Sequence, residues 1–475
     1  SDLGSMSTTR RAAKTSKSLR WMEPARSQAS PIALFVQALP LMLLYPLRRV
    51  STWILFVAIW VYLQEAFKMH RLDSLIFALA TSRLIADVTL PLVGVVGKWL
   101  IVGRFREGRY PLWGQYYLRW WLVEQLLLLC GRGVFRHSPL LLRVYYRMMG
   151  AKVGKGAVID RRAKLGEFDL LHIGEGVLVD RVTLRGFCFD DGAMALRPIS
   201  LGANCVVCTK VALAPGIAVP PGACMGPLSS SYALTPGDTP ESNRAFCLAS
   251  FPRPFWLLRA LGYLIIALVW VTSQIPVLLV LRQMVLEPWY KNRLKNYYEV
   301  MEWFLTPERV GYYVALRVVR GTITPVVRLA CCILVKRTIV GRFTAGRRDR
   351  SQYNLFKHWL VAELIPGERL QDVAHLIGVH YEGVSIILRL LGARIGRRIY
   401  WPGSGLEHLV EYDLFEVGDD VVFGSRSLVM CADRDEALQV RIENGANVAD
   451  RCVLLPGVVI ERNAVLGSGG LTKKR

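Results

Sequence analysis

Residues 201–226 read LGANCVVCTKVALAPGIAVPPGACMG, with a large aliphatic or Met side chain on every sixth position, at Leu201, Val207, Leu213, Val219 and Met225. A period of six matches neither an amphipathic helix, which repeats at about 3.6 residues, nor a half-buried strand, which repeats at about 2. It fits a chain wound as a triangular parallel β-helix. Each six-residue rung then turns one bulky residue toward the axis, and Gly, Ala, Asn and Pro make the corners. Pro215-Gly216 and Pro221-Gly222 stand where corners fall. The same register returns at Ile442, Val448, Leu454, Ile460 and Leu466, and a looser form of it runs through Val153, Ile159, Leu165, Ile173 and Val179. A loop over residues 185–198 is expected to interrupt the first coil.

The other hydrophobic positions lie in long runs without polar alternation. Residues 31–67 exceed one membrane crossing and contain Pro40, Pro46, Arg48 and Arg49, which predicts a kinked or interfacial lead followed by a span. Residues 75–102 make a second run carrying Arg83 and Asp87 at the i,i+4 spacing that lets them pair. Residues 255–284 and 311–335 form a second pair of runs. Between run and coil, residues 111–129 (PLWGQYYLRWWLVEQLLLL) hold Trp113, Tyr116, Tyr117, Trp120 and Trp121, an aromatic girdle suited to a helix at headgroup level.

The second half repeats the first. IVGRF stands at 101–105 and at 339–343; WLVEQL at 121–126 answers WLVAEL at 359–364; GAKVG at 150–154 answers GARIG at 392–396; and GEFDLLHIGEGV at 166–177 answers VEYDLFEVGDDV at 410–421. The expected plan is therefore a basic leader (1–30), a transmembrane helix pair (31–102), interfacial Trp-rich helices (103–149) and a β-helix (150–232). A connector (233–252) then leads to a second helix pair (253–338), interfacial helices (339–391) and a second β-helix (392–475).

Composition sharpens this picture. An apolar share of 52% exceeds that of an ordinary soluble enzyme and places part of the chain in lipid. The net charge of +23 does not point to nucleic acid, because the excess sits beside the apolar runs, where basic residues set topology and meet anionic headgroups. Even-numbered crossings put the leader and the basic segments after Val102 and Val335 on one side, which the positive-inside rule makes cytosolic together with both β-helices. Lys291, Arg293 and Lys295 in the second hairpin's loop work against that assignment. The ten cysteines fall in apolar segments and rungs and read as reduced, packed thiols. Cys205-x-x-Cys208 has no second pair or His nearby, so no metal site is expected.

The hexapeptide coil resembles the left-handed parallel β-helix acyltransferases, which use coenzyme A or carrier-bound pantetheine thioesters. The larger unit, with RYPLWGQYYLRWWLVEQL, LRVYYRMMGAKVG, FDLLHIG and PGACMGPLSS, resembles the C-terminal membrane region of ε-poly-lysine synthetase-like nonribosomal peptide synthetases from Pro31 onward. The resemblance implies a fold of multi-pass membrane α-helices plus two tandem left-handed parallel β-helix domains. It also implies an acyl or peptidyl transferase that forms amide bonds from aminoacyl thioesters held on phosphopantetheine or coenzyme A. Adenylation and carrier domains, in cis or trans, would load and present the aminoacyl or peptidyl substrate. Members commonly carry three such units where this sequence holds two, so a third is expected after GGLTKKR or from another chain. Asp2-Leu3-Gly4-Ser5-Met6-Ser7 resembles the carrier motif around a pantetheinylated Ser, which makes Ser7 the attachment point; a vector-derived stretch ahead of Met6 is the other reading.

Aminolysis of a thioester needs a base, donors for a tetrahedral oxyanion, and positioning. The soluble hexapeptide acyltransferases that the coil resembles use a His as base, and two of the seven His fall in coil segments: His172, and His408 just ahead of the matching stretch. In the second unit Glu416 replaces His172, so the two units cannot both use that position. Asp169 and Asp413, retained in both, either bind a substrate amine or cap corner amides. Glu167, Asp190, Asp191, Glu411 and Asp433 are further carboxylates for a basic substrate. His358 takes the place of Trp120 and reads as an interfacial residue rather than a catalyst. The alternatives are a non-catalytic membrane scaffold or export conduit that docks a carrier, and a coenzyme A-dependent acetyltransferase. Two helix pairs expose enough lateral surface for a homo-oligomer.

Overall fold

A computed structural model describes residues 30–231, 241–247, 249, 251–286, 298, 302, 305–365, 376, 381–401, 406 and 409–474. The leader with Ser7, the loop with Lys291, Arg293 and Lys295, and His408 lie outside those residues.

Ser30 starts α1 (Pro31–Leu39): its hydroxyl accepts from the Ala33 amide, and Pro31 takes the first helical position, where no N–H is needed. Pro40 cannot donate to the preceding turn, and the chain passes it in a π-helical turn, Pro40–Leu44, before α2 (Tyr45–Ala66). The expected lead and crossing are thus one continuous apolar helix, Pro31–Ala66, about 54 Å long at a rise of 1.5 Å per residue. α3 (Arg71–Ile101) folds back on α2, and the buried Trp60 indole donates to Ser74 Oγ at 3.0 Å near the turn. α4 (Gln115–Cys130) and α5 (Pro139–Met148) follow. The second half repeats this with α6 (Trp256–Leu286), α7 (Val310–Gly321), α8 (Ile323–Val335), α9 (Gln352–Leu364) and α10 (Tyr381–Leu391). Four stretches are long and apolar enough to cross a membrane: Pro31–Ala66, Leu72–Ile101, Trp256–Val285 and Val310–Val340. Arg83 Nε lies 3.8 Å from Asp87 Oδ1, as their spacing predicts.

The six-residue register folds as stacked parallel sheets of very short strands. Val153, Ile173, Leu201 and Val219 pair in one sheet, and Ile159, Val179, Val207 and Met225 in the next. In the second unit Ile395, Val417, Ile442 and Ile460 form one row, Phe423, Val448 and Leu466 another, and Val429 and Leu454 a third. Leu454 is fully buried, and Leu213 is half-buried against the same core as its neighbours. Corner residues take the left-handed conformation, as at Asn204 and Gly176, where an added Cβ would stand 2.3 Å from Asn204 Oδ1.

Residues 185–198 are more ordered than the expected loop. Phe187–Asp190 and Ala193–Leu196 form an antiparallel hairpin that also pairs with Gly108–Pro111. Asp191 and Gly192, both at positive φ, supply the tight two-residue turn that Asp-Gly favours. The two units are in contact. The core around the first stack takes in Leu428, Met430, Val453 and Leu455 of the second. Arg161 Nη1 meets Glu363 Oε2 at 2.5 Å, and Lys210 Nζ donates to the Arg426 carbonyl.

Candidate functional site

The motifs shared by the two halves converge on one arrangement, built twice. Lys98, near the end of α3, places Nζ 2.7 Å from Asp169 Oδ2, and the Phe105 amide donates to the same oxygen at 2.9 Å. The Lys98 side chain is 0% exposed, and its ammonium also lies over the Trp99 ring at 3.6 Å. In the second half Lys336 Nζ meets Asp413 Oδ2 at 2.5 Å and donates to the Gly341 carbonyl, while the Phe343 amide donates to Asp413 at 3.0 Å. Gly150 and Gly392, at φ +107° and +115°, each pass so close that a Cβ would sit 2.3 Å from the carboxylate. The carboxylates offered by the sequence to a substrate amine already hold an amine, that of the helix end. Each pair ties a membrane-length helix to the strand stack that follows it.

Two residues before each of these aspartates the halves diverge. Glu167, fully buried, is saturated: the Trp120 indole donates to Oε1 at 2.8 Å, Arg185 closes on it at 2.6 Å, and the Gly186 amide donates to Oε2 at 3.1 Å. Arg185 also reaches Glu124 at 2.9 Å. In the second half Glu411 instead faces the His358 ring, with Nδ1 2.8 Å from Oε1, and no arginine forms an ion pair with it among the described residues. His358 comes from α9 and packs against the Phe343 ring at 4.6 Å between centroids. Burial alone would push the Glu411 carboxyl up, but the His358 hydrogen bond and the charges of His358 and Arg348 outweigh it and hold the group below the ordinary carboxylate range. A carboxylate only accepts, so Nδ1 carries the proton and Nε2 is the basic nitrogen. The imidazole is 18% exposed.

His172 lies on the strand Leu171–Ile173, in register with Lys152 and Ser200, and Ser200 Oγ is 3.4 Å from its Nδ1. It lines an open groove of about 530 Å³ with Arg147, Lys152, Gly154 and Gly174. Burial, aided by the Lys152 charge, pulls its imidazole below the ordinary His value, so it is neutral at pH 7. Glu416 stands at the same place in the second stack but sits between Arg394 and Arg441, at 3.8 and 3.7 Å, and accepts from Gln439. Asp433 is fully buried and paired with Lys474 at 2.6 Å, whereas Asp190 and Asp191 are exposed beside Arg109. Among the described residues, His172, Glu416, Asp433, Asp190 and Asp191 therefore stand in separate surroundings and not at one centre.

Sequence reasoning missed Lys98, Lys336 and the His358–Glu411 pair. The signals were present: a lysine three positions ahead of IVGRF in both halves, and a His in place of a Trp opposite a retained Glu. No disulfide joins the ten cysteines, and no group of three or more His, Cys, Asp or Glu among the described residues could hold a metal ion. Between the two helix pairs lies a cleft of about 1,810 Å³.

No family model matches the chain, and no solved structure matches it. It is similar to the Delta-poly-L-ornithine synthetase of Acinetobacter baumannii (strain AB307-0294), 25% identical over 432 residues, which is 84% of this chain and 30% of the relative. The chain thus spans less than a third of the length of the curated relative it matches.

Proposed function

We propose that this chain is the amide-forming membrane part of a poly-amino-acid synthetase, with its proton-transfer centre at His358 and Glu411. One observation carries the reading: a part-exposed imidazole, oriented by a buried carboxylate, stands where the first unit holds an inert knot of Trp120, Glu167 and Arg185. The similarity to a poly-amino-acid synthetase supports the reaction class. The six-residue register supports reading each strand stack as a left-handed parallel β-helix of the hexapeptide-repeat type.

His358 Nε2 accepts the proton of the attacking amine as its C–N bond forms to a thioester carbonyl. It returns that proton to the sulfur as the C–S bond breaks. Glu411 fixes the ring and stabilises the imidazolium in between. The groove at His172 is the candidate place for a phosphopantetheine arm or coenzyme A, where the Lys152 and Arg147 charges suit a phosphate. When bound, that group would supply the activated acyl thioester; seated in this groove it would face His172, and so belongs to the second reading below. Adenylation and carrier domains are its proposed partners, with Ser7 a candidate attachment point, and the basic segments put both stacks on the cytosolic side.

A second reading, in which His172 is the base, is favoured by the groove around it and its neutral imidazole. The two are separated by incubating the purified chain with an aminoacyl-loaded carrier and following product by intact mass. His358→Gln and Glu411→Gln are expected to lower the rate about 10²- to 10⁴-fold, with His172→Ala near the parent. Loss on His172→Ala alone moves the base to the groove, and no transfer by the parent with any loaded carrier overturns the function.

A further inference from the structure

The two helix pairs meet at their loop ends, where Phe56, Trp60 and Leu75 pack with Met284 and Val285. Toward the strand stacks they part, and the cleft of about 1,810 Å³ opens between them. Its volume exceeds the roughly 300–1,000 Å³ of a small-molecule site. Much of the lining is aliphatic, yet it also holds seven arginines against one carboxylate, Asp87. Arg83 is taken up by Asp87, and Arg328 Nε lies 3.3 Å from Ser273 Oγ. Arg48 and Arg49 of α2 and Arg317 and Arg320 of α7 form no ion pair among the described residues.

These four lie within stretches apolar enough to span a membrane. Arg83, fifteen residues before Lys98 on α3, stands about 22 Å along the axis from the Lys98–Asp169 pair, so the cleft reaches well below the stacks. An arginine held among hydrocarbon is costly unless an anion meets it. Guanidinium groups, with their planar fork of donors, match the paired oxygens of a phosphate or a carboxylate.

We propose that this cleft binds an anionic phospholipid, its phosphodiester held by Arg48, Arg49, Arg317 and Arg320 and its acyl chains against the aliphatic lining. The inference rests on reading the four long helices as membrane spans and is independent of the transfer chemistry. A pathway of this sign repels a polycation, so the cleft does not suit export of a basic poly-amino acid.

The test uses the full chain in neutral detergent, followed by thermal midpoint and native mass spectrometry. Vesicle-derived phosphatidylglycerol, phosphatidylcholine and inorganic phosphate are titrated separately. Phosphatidylglycerol is expected to bind at least ten-fold more tightly than phosphatidylcholine and to raise the midpoint, with phosphate alone giving little. Arg317→Gln/Arg320→Gln should lower that preference several-fold, and the four-fold Gln variant should erase it. Arg342→Gln/Arg347→Gln, outside the cleft, should leave it in place. Equal binding of the two lipids overturns the proposal, as does equal loss from the Arg342/Arg347 variant, which assigns the preference to surface charge. Full stabilisation by phosphate alone assigns the cleft to a free anion instead. Should the four-fold variant fail to fold, the Arg317/Arg320 pair decides: an unchanged preference in it sinks the assignment.

Discussion

Replacing Asp169 with Asn tests whether the retained aspartates are structural clamps or substrate ligands. Asparagine keeps the shape and still accepts from the Phe105 amide, but it leaves the Lys98 ammonium, 0% exposed, without its counter-charge. Breaking a buried pair from one side costs about 3–5 kcal/mol. Lys98→Met should cost less, about 1–3 kcal/mol, because Asp169 is 12% exposed and keeps the Phe105 donor. In Lys98→Met/Asp169→Asn no charge is stranded, and the midpoint should return to within about 1 kcal/mol of the parent. The readout is the folded fraction after heating in detergent, measured by gel filtration, beside the transfer assay on the same samples. A clamp gives a double variant that regains stability and transfer together. An Asp169→Asn variant as stable as the parent, or a double variant that is stable but inactive, would refute the clamp and return Asp169 to the substrate.

Further outcomes follow from other residues. Glu411 is held below the ordinary carboxylate range, so its stabilising contribution is present above that range and fades as pH falls through the lowered value. The midpoint difference between parent and Glu411→Gln should therefore shrink on acidification below about pH 4.3, and a constant difference would count against it. Leu454→Ala removes a fully buried row residue and should cost about 2–5 kcal/mol in denaturant or thermal unfolding; a loss under 1 kcal/mol speaks against a packed row. Gly392→Ala meets both a positive φ and a Cβ 2.3 Å from Asp413 Oδ1 and should destabilise by more than about 1 kcal/mol, measured as a midpoint shift.

The parts legible in the sequence are those written locally. A register of six yields parallel rows at Leu201, Val207, Val219 and Met225 because each rung is one unit and repeats its own instruction. The long apolar runs likewise announce their helices. The clamps are not written locally: Lys98 and Asp169 stand 71 residues apart and Lys336 and Asp413 stand 77 apart, with no period linking them, so only the lysine repeated ahead of IVGRF hints at them. His358 and Glu411, 53 residues apart, are hidden for the same reason. Only comparing the halves shows that Trp120 became His while its Glu partner stayed. The hairpin after Arg185 was missed although Asp191-Gly192 carries its turn chemistry, because the expected interruption of the coil overshadowed a local signal.

Because Leu428, Met430, Val453 and Leu455 complete the hydrophobic interior around the first stack, the tandem units are not beads on a string. Severing the chain between them would leave each fragment with a greasy wound rather than a finished surface. Either half produced by itself should therefore clump or seek its missing sibling, and the pair behaves as one indivisible piece of architecture.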